Sequence, residues 1–346
     1  LSGDAHFKPG GNFSFQNLTG QPGTFISWYD PIIIAAGDIL FGDYTGVALK
    51  VEAGGGITTG NIAITGPDVT LANAADPDAG FLSSSAALIL RSGVTSFSSS
   101  PNLPPNLNFN NTSFTTTPIS GNGIFTGAIR TAGGPVIWDS AGDIAADRIE
   151  TNGGNINITA SNNITIVRFL NSSGGAIDIT GNQLQVRGSF INNNGIDASI
   201  SSSYDGGGGA ITIRHKGSTN TPFTVGDATT LGTAGAITSG SETINPQLVV
   251  PVPPDTYNQG NITIITPAPG TSGEVPALPP ESLEDPTETG SGNDPATEVP
   301  GEGTNSETDS GNDPASEVPG EGTNSETDPG NDPASEVPGE GTNSET

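Results

Sequence analysis

Five side chains mark where this chain of 346 residues could do acid–base work: Asp143, Asp147, Arg148 and Glu150 lie close together, and Asp178 follows further along. Hydrolysis of a glycosidic bond takes two carboxyls about 5–10 Å apart, one of them held protonated. Polysaccharide lyases use clustered acids or a Ca²⁺–Arg pair instead. Asp147-Arg148 and Glu150 flank Ile149, however, and read more simply as solvated charges on an outward strand face. An enzyme of this kind predicts two or more acids and an arginine in one cleft; scattered surface charges go against it.

Arg214-His215-Lys216 is the one basic cluster and holds one of the two histidines. No carboxylate sits at a local spacing to orient the ring as a general base. The sequence therefore places His215 at an exposed strand end, within reach of an anionic polysaccharide. His6 stands in a polar stretch with no partner in sequence. Gly206–Gly209 is followed by no helix and closed by no Lys-Ser/Thr pair, so it reads as a turn and not a phosphate loop. The Trp28-Tyr29 pair and Trp138 lie far apart in sequence, and Trp138, directly after Val136-Ile137, is expected in the core or as a cap and not as a sugar platform, although aromatic platforms are how many adhesins hold sugars. No catalytic, cofactor-binding or metal-binding residue is assigned, and no cofactor is expected.

Composition narrows the field further. There is no cysteine and no methionine, so disulfide frameworks, thiol nucleophiles and Cys-ligated metals are excluded. A net charge of -28 argues against nucleic acid, whose phosphates need a basic face. No apolar run reaches the eighteen or so residues that span a bilayer, so no transmembrane segment is expected. The chain begins at Leu1 and contains no Met, which reads as a piece of a longer polypeptide.

The charge is unevenly divided, with nineteen of the 37 acids at or beyond Glu274 and the last basic residue at Lys216. Gly292-Asn293-Asp294-Pro295 recurs at Gly311 and Gly330, a repeat of 19 residues in which Val is the one sizeable apolar side chain. Such a segment has little to offset an ordering cost of about 1–2 kcal/mol per residue. Residues 266–346 are therefore expected to be a disordered, acidic, Pro/Gly/Glu/Thr-rich tail acting as a spacer.

The elements that would position any site come from a second, looser repeat. Gly153-Gly154-Asn155-Ile156-Asn157-Ile158 matches Gly174-Gly175-Ala176-Ile177-Asp178-Ile179 and Gly208-Gly209-Ala210-Ile211-Thr212-Ile213. Ile164 falls over Leu184, and Phe169-Leu170-Asn171 over Phe190-Ile191-Asn192, as though Asn171 and Asn192 formed a stacked amide ladder. Gly55-Gly56-Ile57, Gly60-Asn61-Ile62 and Gly260-Asn261-Ile262 repeat the theme, and Ala-Gly-Asp-Ile turns recur at Ala36–Ile39 and Ala141–Ile144. A period near twenty with alternating apolar residues means that each rung buries its apolar edge against its neighbours. The fold class expected is all-β: a right-handed parallel β-helix, with Ile156 and Ile158 inward and Asn155, Asn157 and Thr159 outward. Residues 1–30 would be an N-terminal flank, a partial coil or strand. Residues 31–265 would form the β-helix, with loop excursions near 96–120, 193–206 and 218–258.

The Gly-Gly-x-Ile-x-Ile rungs resemble those of filamentous haemagglutinin-type exoproteins exported by two-partner secretion. Gly11-Asn12-Phe13, Asp30-Pro31-Ile32-Ile33, Gly37-Asp38-Ile39, Tyr44-Thr45-Gly46 and Ile64-Thr65-Gly66-Pro67-Asp68 resemble segments of large cyanobacterial surface exoproteins of that type, over roughly residues 10–265. The resemblance implies a secreted, extracellular or cell-surface scaffold in adhesion or envelope interaction, with surface glycans as partners. It also implies export through an outer-membrane translocator, engaged by an upstream domain, since the family's Asn-Pro-Asn-Gly secretion motif does not occur here. The alternative is a polysaccharide-active lyase or hydrolase on the same scaffold.

Overall fold

The computed structural model describes residues 5–29, 31–70, 76–95, 97, 121–216, 222–250 and 255–266. The chain divides into two units, Leu1–Ala277 and Leu278–Thr346, and the second lies outside the described residues. So do the expected excursion at 98–120 and the expected disordered tail beyond residue 266.

The described residues are all-β with one short helix, and their strands run mostly parallel. A ten-stranded sheet takes one strand from each passage of the chain. In spatial order its parallel strands are Ala5–Phe7, Pro31–Ala35, Leu49–Ala53, Leu88–Ser92, Val136–Ser140, Ile156–Ala160, Ile177–Gly181, Ile211–His215 and Ile262–Thr266. The register puts Ile33, Val51, Leu90, Trp138, Ile158, Ile179, Ile213 and Ile264 in one continuous inward column. Each fully buried side chain of this size contributes roughly 1.5–3 kcal/mol.

Two further columns close the core from the other sides. One runs Phe13, Ile39, Ile57, Ile124, Ile144, Ile164 and Leu184. The other runs Phe25, Tyr44, Ile62, Ile129, Ile149, Leu170, Ile200 and Ile237. The two longest strands, Ile124–Thr131 and Ile144–Glu150, contribute to both columns. At the later end antiparallel strands finish all three: Asp255–Gln259 on Ile262–Thr266, Glu242–Ile244 on Ala236–Ser239, and Val249–Val250 on Phe223–Val225. The stretch 218–258, in which the sequence offers no clean register, thus supplies strands that pair with the core.

The repeated glycines have two different jobs. In the doublets at 153 and 174 the first glycine takes a left-handed backbone, with φ of +110° at Gly153 and +111° at Gly174. The second packs against the glycine one passage earlier: a Cβ on Gly175 would fall well inside van der Waals distance of the Gly154 carbonyl, and one on Gly154 would meet Gly134 in the same way. Beside them Thr131, Thr151, Ser172 and Ser202 form a buried hydroxyl column whose members donate to the carbonyls of Gly134, Gly154, Gly175 and Gly209. Aspartate and asparagine side chains stitch other turns. Asn12 accepts from the Asp38 N–H, Asp38 from Gly56, Asp43 from Asn61, Asn61 from Ala128, and Asp143 from Asn163. The recurrent Ala-Gly-Asp-Ile turns are two of these stitches.

The Asn171–Asn192 ladder does not form. Phe169 and Phe190 do stack, with centroids 4.2 Å apart, but Leu170 pairs with Ile200 and Asn171 with Ser201. Phe190–Ile191 folds back antiparallel on Asp197–Ser201, which leaves Ile191 67% exposed. Asn192 instead ties its own turn, accepting from the N–H groups of Asn194 and Ile196 and donating to Thr238.

Replacing Gly175 by Ala is expected to cost about 2–3 kcal/mol, because its neighbour is backbone and cannot step aside. Gly80→Ala, in the helix Ala79–Ser84 with nothing within 4 Å of the new methyl, is expected to leave stability unchanged or raise it by up to about 1 kcal/mol. Urea unfolding of the two variants beside the wild type checks both.

Candidate functional site

The acids singled out in the sequence do not converge. Asp178 projects from the ten-stranded sheet and pairs with Arg214 on the next strand. Asp147 and Glu150 belong to the opposite walls, on Ile144–Glu150. There Asp147 is gripped by Arg168, whose hydrogen bond holds its carboxyl below the usual range. Glu150 lies 2.6 Å from Arg130 and 3.4 Å from Arg148, and Asp143 is occupied as a backbone stitch. Each carboxyl of the set is taken up by an arginine or a backbone N–H, and no two of them share a cleft with a free arginine.

A denser charged cluster lies where the sequence gave no warning, on the outer face of the ten-stranded sheet. The runs Ile32-Ile33-Ile34 and Leu88-Ile89-Leu90 are apolar on both faces. Their outward members Ile32, Ile34 and Ile89 pack with Ala48, Leu82 and Ala87 in a second, smaller core. Leu82 comes from the short helix, carried on an excursion between Ile62–Gly66 and Leu88–Ser92 that lies over this face like a clasp.

Ion pairs pin the clasp. Lys50 Nζ, fully buried, lies 2.8 Å from Asp76, 2.6 Å from Asp78 and 3.5 Å from Glu52. Arg91 holds Asp78 through two nitrogens, at 2.7 and 3.1 Å, and reaches Glu52 at 2.8 Å and Asp139 at 3.8 Å. Burial opposes charge on Asp78, but the hydrogen bonds from Arg91 and Lys50 outweigh it and hold its carboxyl at about 2. The same contacts overcome the burial of Lys50 and raise its ammonium above the usual range. Nearby, Lys8 has its amine buried with no hydrogen-bond partner among the described residues, and burial lowers its affinity for a proton. Acids and an arginine therefore do meet on one face, beneath a cover, with Lys50 and Arg91 shared among Glu52, Asp76, Asp78 and Asp139. Among the described residues no cluster of His, Asp or Glu is arranged to hold a metal ion.

His215 departs most from the sequence expectation. It is buried in the core, because Ile211, Ile213 and His215 fall in phase and all three point inward. Its ring stacks on Phe223 at 5.1 Å, Nε2 lies 3.1 Å from Thr266 Oγ1, and Nδ1 has no partner among the described residues. Burial pushes its pKa down to about 4. Trp138 is buried, as expected. Asp205 and Gly206 turn a hairpin between Ser203–Tyr204 and Gly207–Gly208.

Among the described residues, two features of the outward surface stand open to solvent, a depression and an aromatic side chain. A shallow depression of about 430 Å³ is lined by Thr59, Asn61, Phe125, Thr126, Asp147 and Val167. Its polar groups are engaged with the protein itself: Thr59 and Thr126 donate to the carbonyls of Gly60 and Gly127, and Asn61 is a stitch. The other feature is aromatic. Trp28 directly follows the strand Phe25–Ser27 and is 74% exposed, beside an exposed Ile26.

Two stability measurements test this reading. Lys50→Met leaves the fully buried Asp76 without its cation and is expected to cost about 3–5 kcal/mol. The clasp residues 76–87 should then be cut first in limited proteolysis. Separately, the folded-state pKa of His215 lies below the value of about 6.5 in an unfolded chain, so the unfolded state takes up the proton first. That contribution is complete above about pH 6.5 and is lost as pH falls towards 4, with a slope of up to about 1.4 kcal/mol per unit. Asp78 gives way in a lower window, between the unfolded value of about 4 and 2. In urea unfolding at a series of pH values, His215→Phe should flatten the upper window and leave the lower one.

No family model, curated protein or solved structure matches the chain.

Proposed function

We propose that this chain is a scaffold segment of a secreted or surface-associated exoprotein of the filamentous haemagglutinin type, built as a right-handed parallel β-helix and working in adhesion or envelope interaction. The observation that carries the reading is the set of inward columns running through successive parallel strands, with most of the arginines outside them held in local ion pairs. Such a construction gives stiffness and a long lateral surface without committing any titrating group to chemistry. The resemblance of the Gly-Gly-x-Ile-x-Ile rungs adds an extracellular location and export through an outer-membrane translocator engaged by an upstream domain. The acidic repeat of residues 266–346 would serve as a self-repelling spacer.

Binding of the full chain to an array of neutral and acidic glycans tests the reading, and retention on at least one glycan class is expected. Absence of binding across the array would remove adhesion to glycans. Release of new reducing ends or unsaturated sugars from any bound polysaccharide would replace the scaffold with the enzyme, and the clasp cluster around Arg91 would then be the place to mutate.

A further inference from the structure

We infer that Trp28, with Ile26 beside it, is a platform for a neutral saccharide; the inference rests on the adhesion reading and gives it a site and a ligand class. Trp28 is held in place from both sides. Ser27 is fully buried, its hydroxyl donates to the carbonyl of Tyr29 at 2.5 Å and accepts from the Tyr29 N–H at 3.3 Å, so the backbone around residue 28 is tied down. One residue further back, Phe25 packs its ring against Phe41 at 5.3 Å and Tyr44 at 5.0 Å, rooting the strand in the core. The indole itself makes no ring contact and no hydrogen bond among the described residues, and 74% of the residue is in solvent. Folding gains little from an aromatic side chain placed so, while a rigid, solvated indole plane with a free N–H suits the apolar face and hydroxyl rim of a sugar ring.

The surroundings select for a neutral ligand. From Pro9 to Tyr29 the sequence has no charged side chain, in a chain whose net charge is -28. Across the ladder Ile26 is paired with Thr45 and Thr45 with Ala63, so the row beside Ile26 is hydroxyl and methyl. The first ion pair along that column, Arg130 with Glu150, comes only after Ala63. An anionic polysaccharide would meet no cation along Ile26, Thr45 and Ala63, whereas an uncharged one finds an exposed indole two residues from an exposed Ile26 that is paired with Thr45. The depression around Phe125 and the clasp cluster lack this property, since their polar groups are already satisfied within the protein.

The chain carries its own reporter, because Trp138 is fully buried and Trp28 is the other of its two tryptophans. Acrylamide quenching of the full chain therefore reads Trp28. Soluble neutral glucans of α-1,4, β-1,3 and β-1,4 linkage, alginate as the anionic polymer, and phosphatidylcholine vesicles would each be titrated. The expected result is protection of Trp28 by at least one neutral glucan and not by alginate. Trp28→Ala should weaken binding of that glucan about tenfold, the loss that ~1.4 kcal/mol of stacking corresponds to, with an unchanged melting temperature. Trp28→Phe should retain part of the affinity. Unchanged glucan binding in Trp28→Ala overturns the site and leaves adhesion standing. Protection by vesicles alone replaces the saccharide with a membrane surface. Protection by no glucan, together with a silent glycan array, overturns both.

Discussion

Successive passages of the chain lie one strand separation apart, about 4.8 Å, and the turn onto the ten-stranded sheet has no space for a side chain at that distance. Gly134, Gly154, Gly175 and Gly209 stack carbonyl over Cα at this point. The left-handed Gly133, Gly153 and Gly174 before the first three, and the hydroxyl of Thr131, Thr151, Ser172 or Ser202 alongside, complete the turn. Once the turn is fixed the register of the following strand is fixed with it, and a slip of one residue would turn its isoleucines outward. The inward columns therefore depend on the glycine column, although the isoleucines contribute most of the burial.

This dependence is why much of the architecture can be read in the sequence. The doublets at 153, 174 and 208 mark turns, the alternation after them marks strands, and the matches of Ile156 to Ile177 and Ile164 to Leu184 are pairings that the structure contains. Legibility fails where a local rule is overridden by something distant. Ile191 matches Leu170 by spacing, yet the chain reverses at Asn192 and Ile200 arrives in its place. His215 looks like a member of a basic cluster, while its phase with Ile211 and Ile213 gives its true direction. The clasp was hidden for another reason. The triplets Ile32-Ile33-Ile34 and Leu88-Ile89-Leu90 signal strands covered on both faces, but nothing in that signal says which segment provides the cover.

The candidate sites follow the same division. Charges on strands could be located by phase, but their pairing could not, because Arg168 meets Asp147 and Arg214 meets Asp178 through the stacking of different passages. Buried charge is concentrated at one place, beneath the clasp, where Lys50 and Arg91 are matched against Glu52, Asp76 and Asp78. Ion pairs under cover are sensitive to the loss of either partner. The clasp is accordingly held by apolar contacts from Leu82 and by an electrostatic lock that tolerates no single deletion. Trp28 was visible from the start as one half of an aromatic pair, and the structure adds the anchoring of its backbone and the neutrality of its surroundings.

The antiparallel strands at the later end bear on how this protein would respond to force. Ladder hydrogen bonds run from one passage to the next, so a pull along that direction loads them in series and opens the structure row by row, as a zip opens. A pull along the strands loads a whole row together and must shear it. Asp255–Gln259, Glu242–Ile244 and Val249–Val250 each join the rest through one antiparallel partner. Tension from the C-terminal side reaches Ile262–Thr266 first, a strand held by Ile211–His215 on one side and Asp255–Gln259 on the other, so that peeling it releases Asp255–Gln259 with it, ahead of the glycine-locked passages.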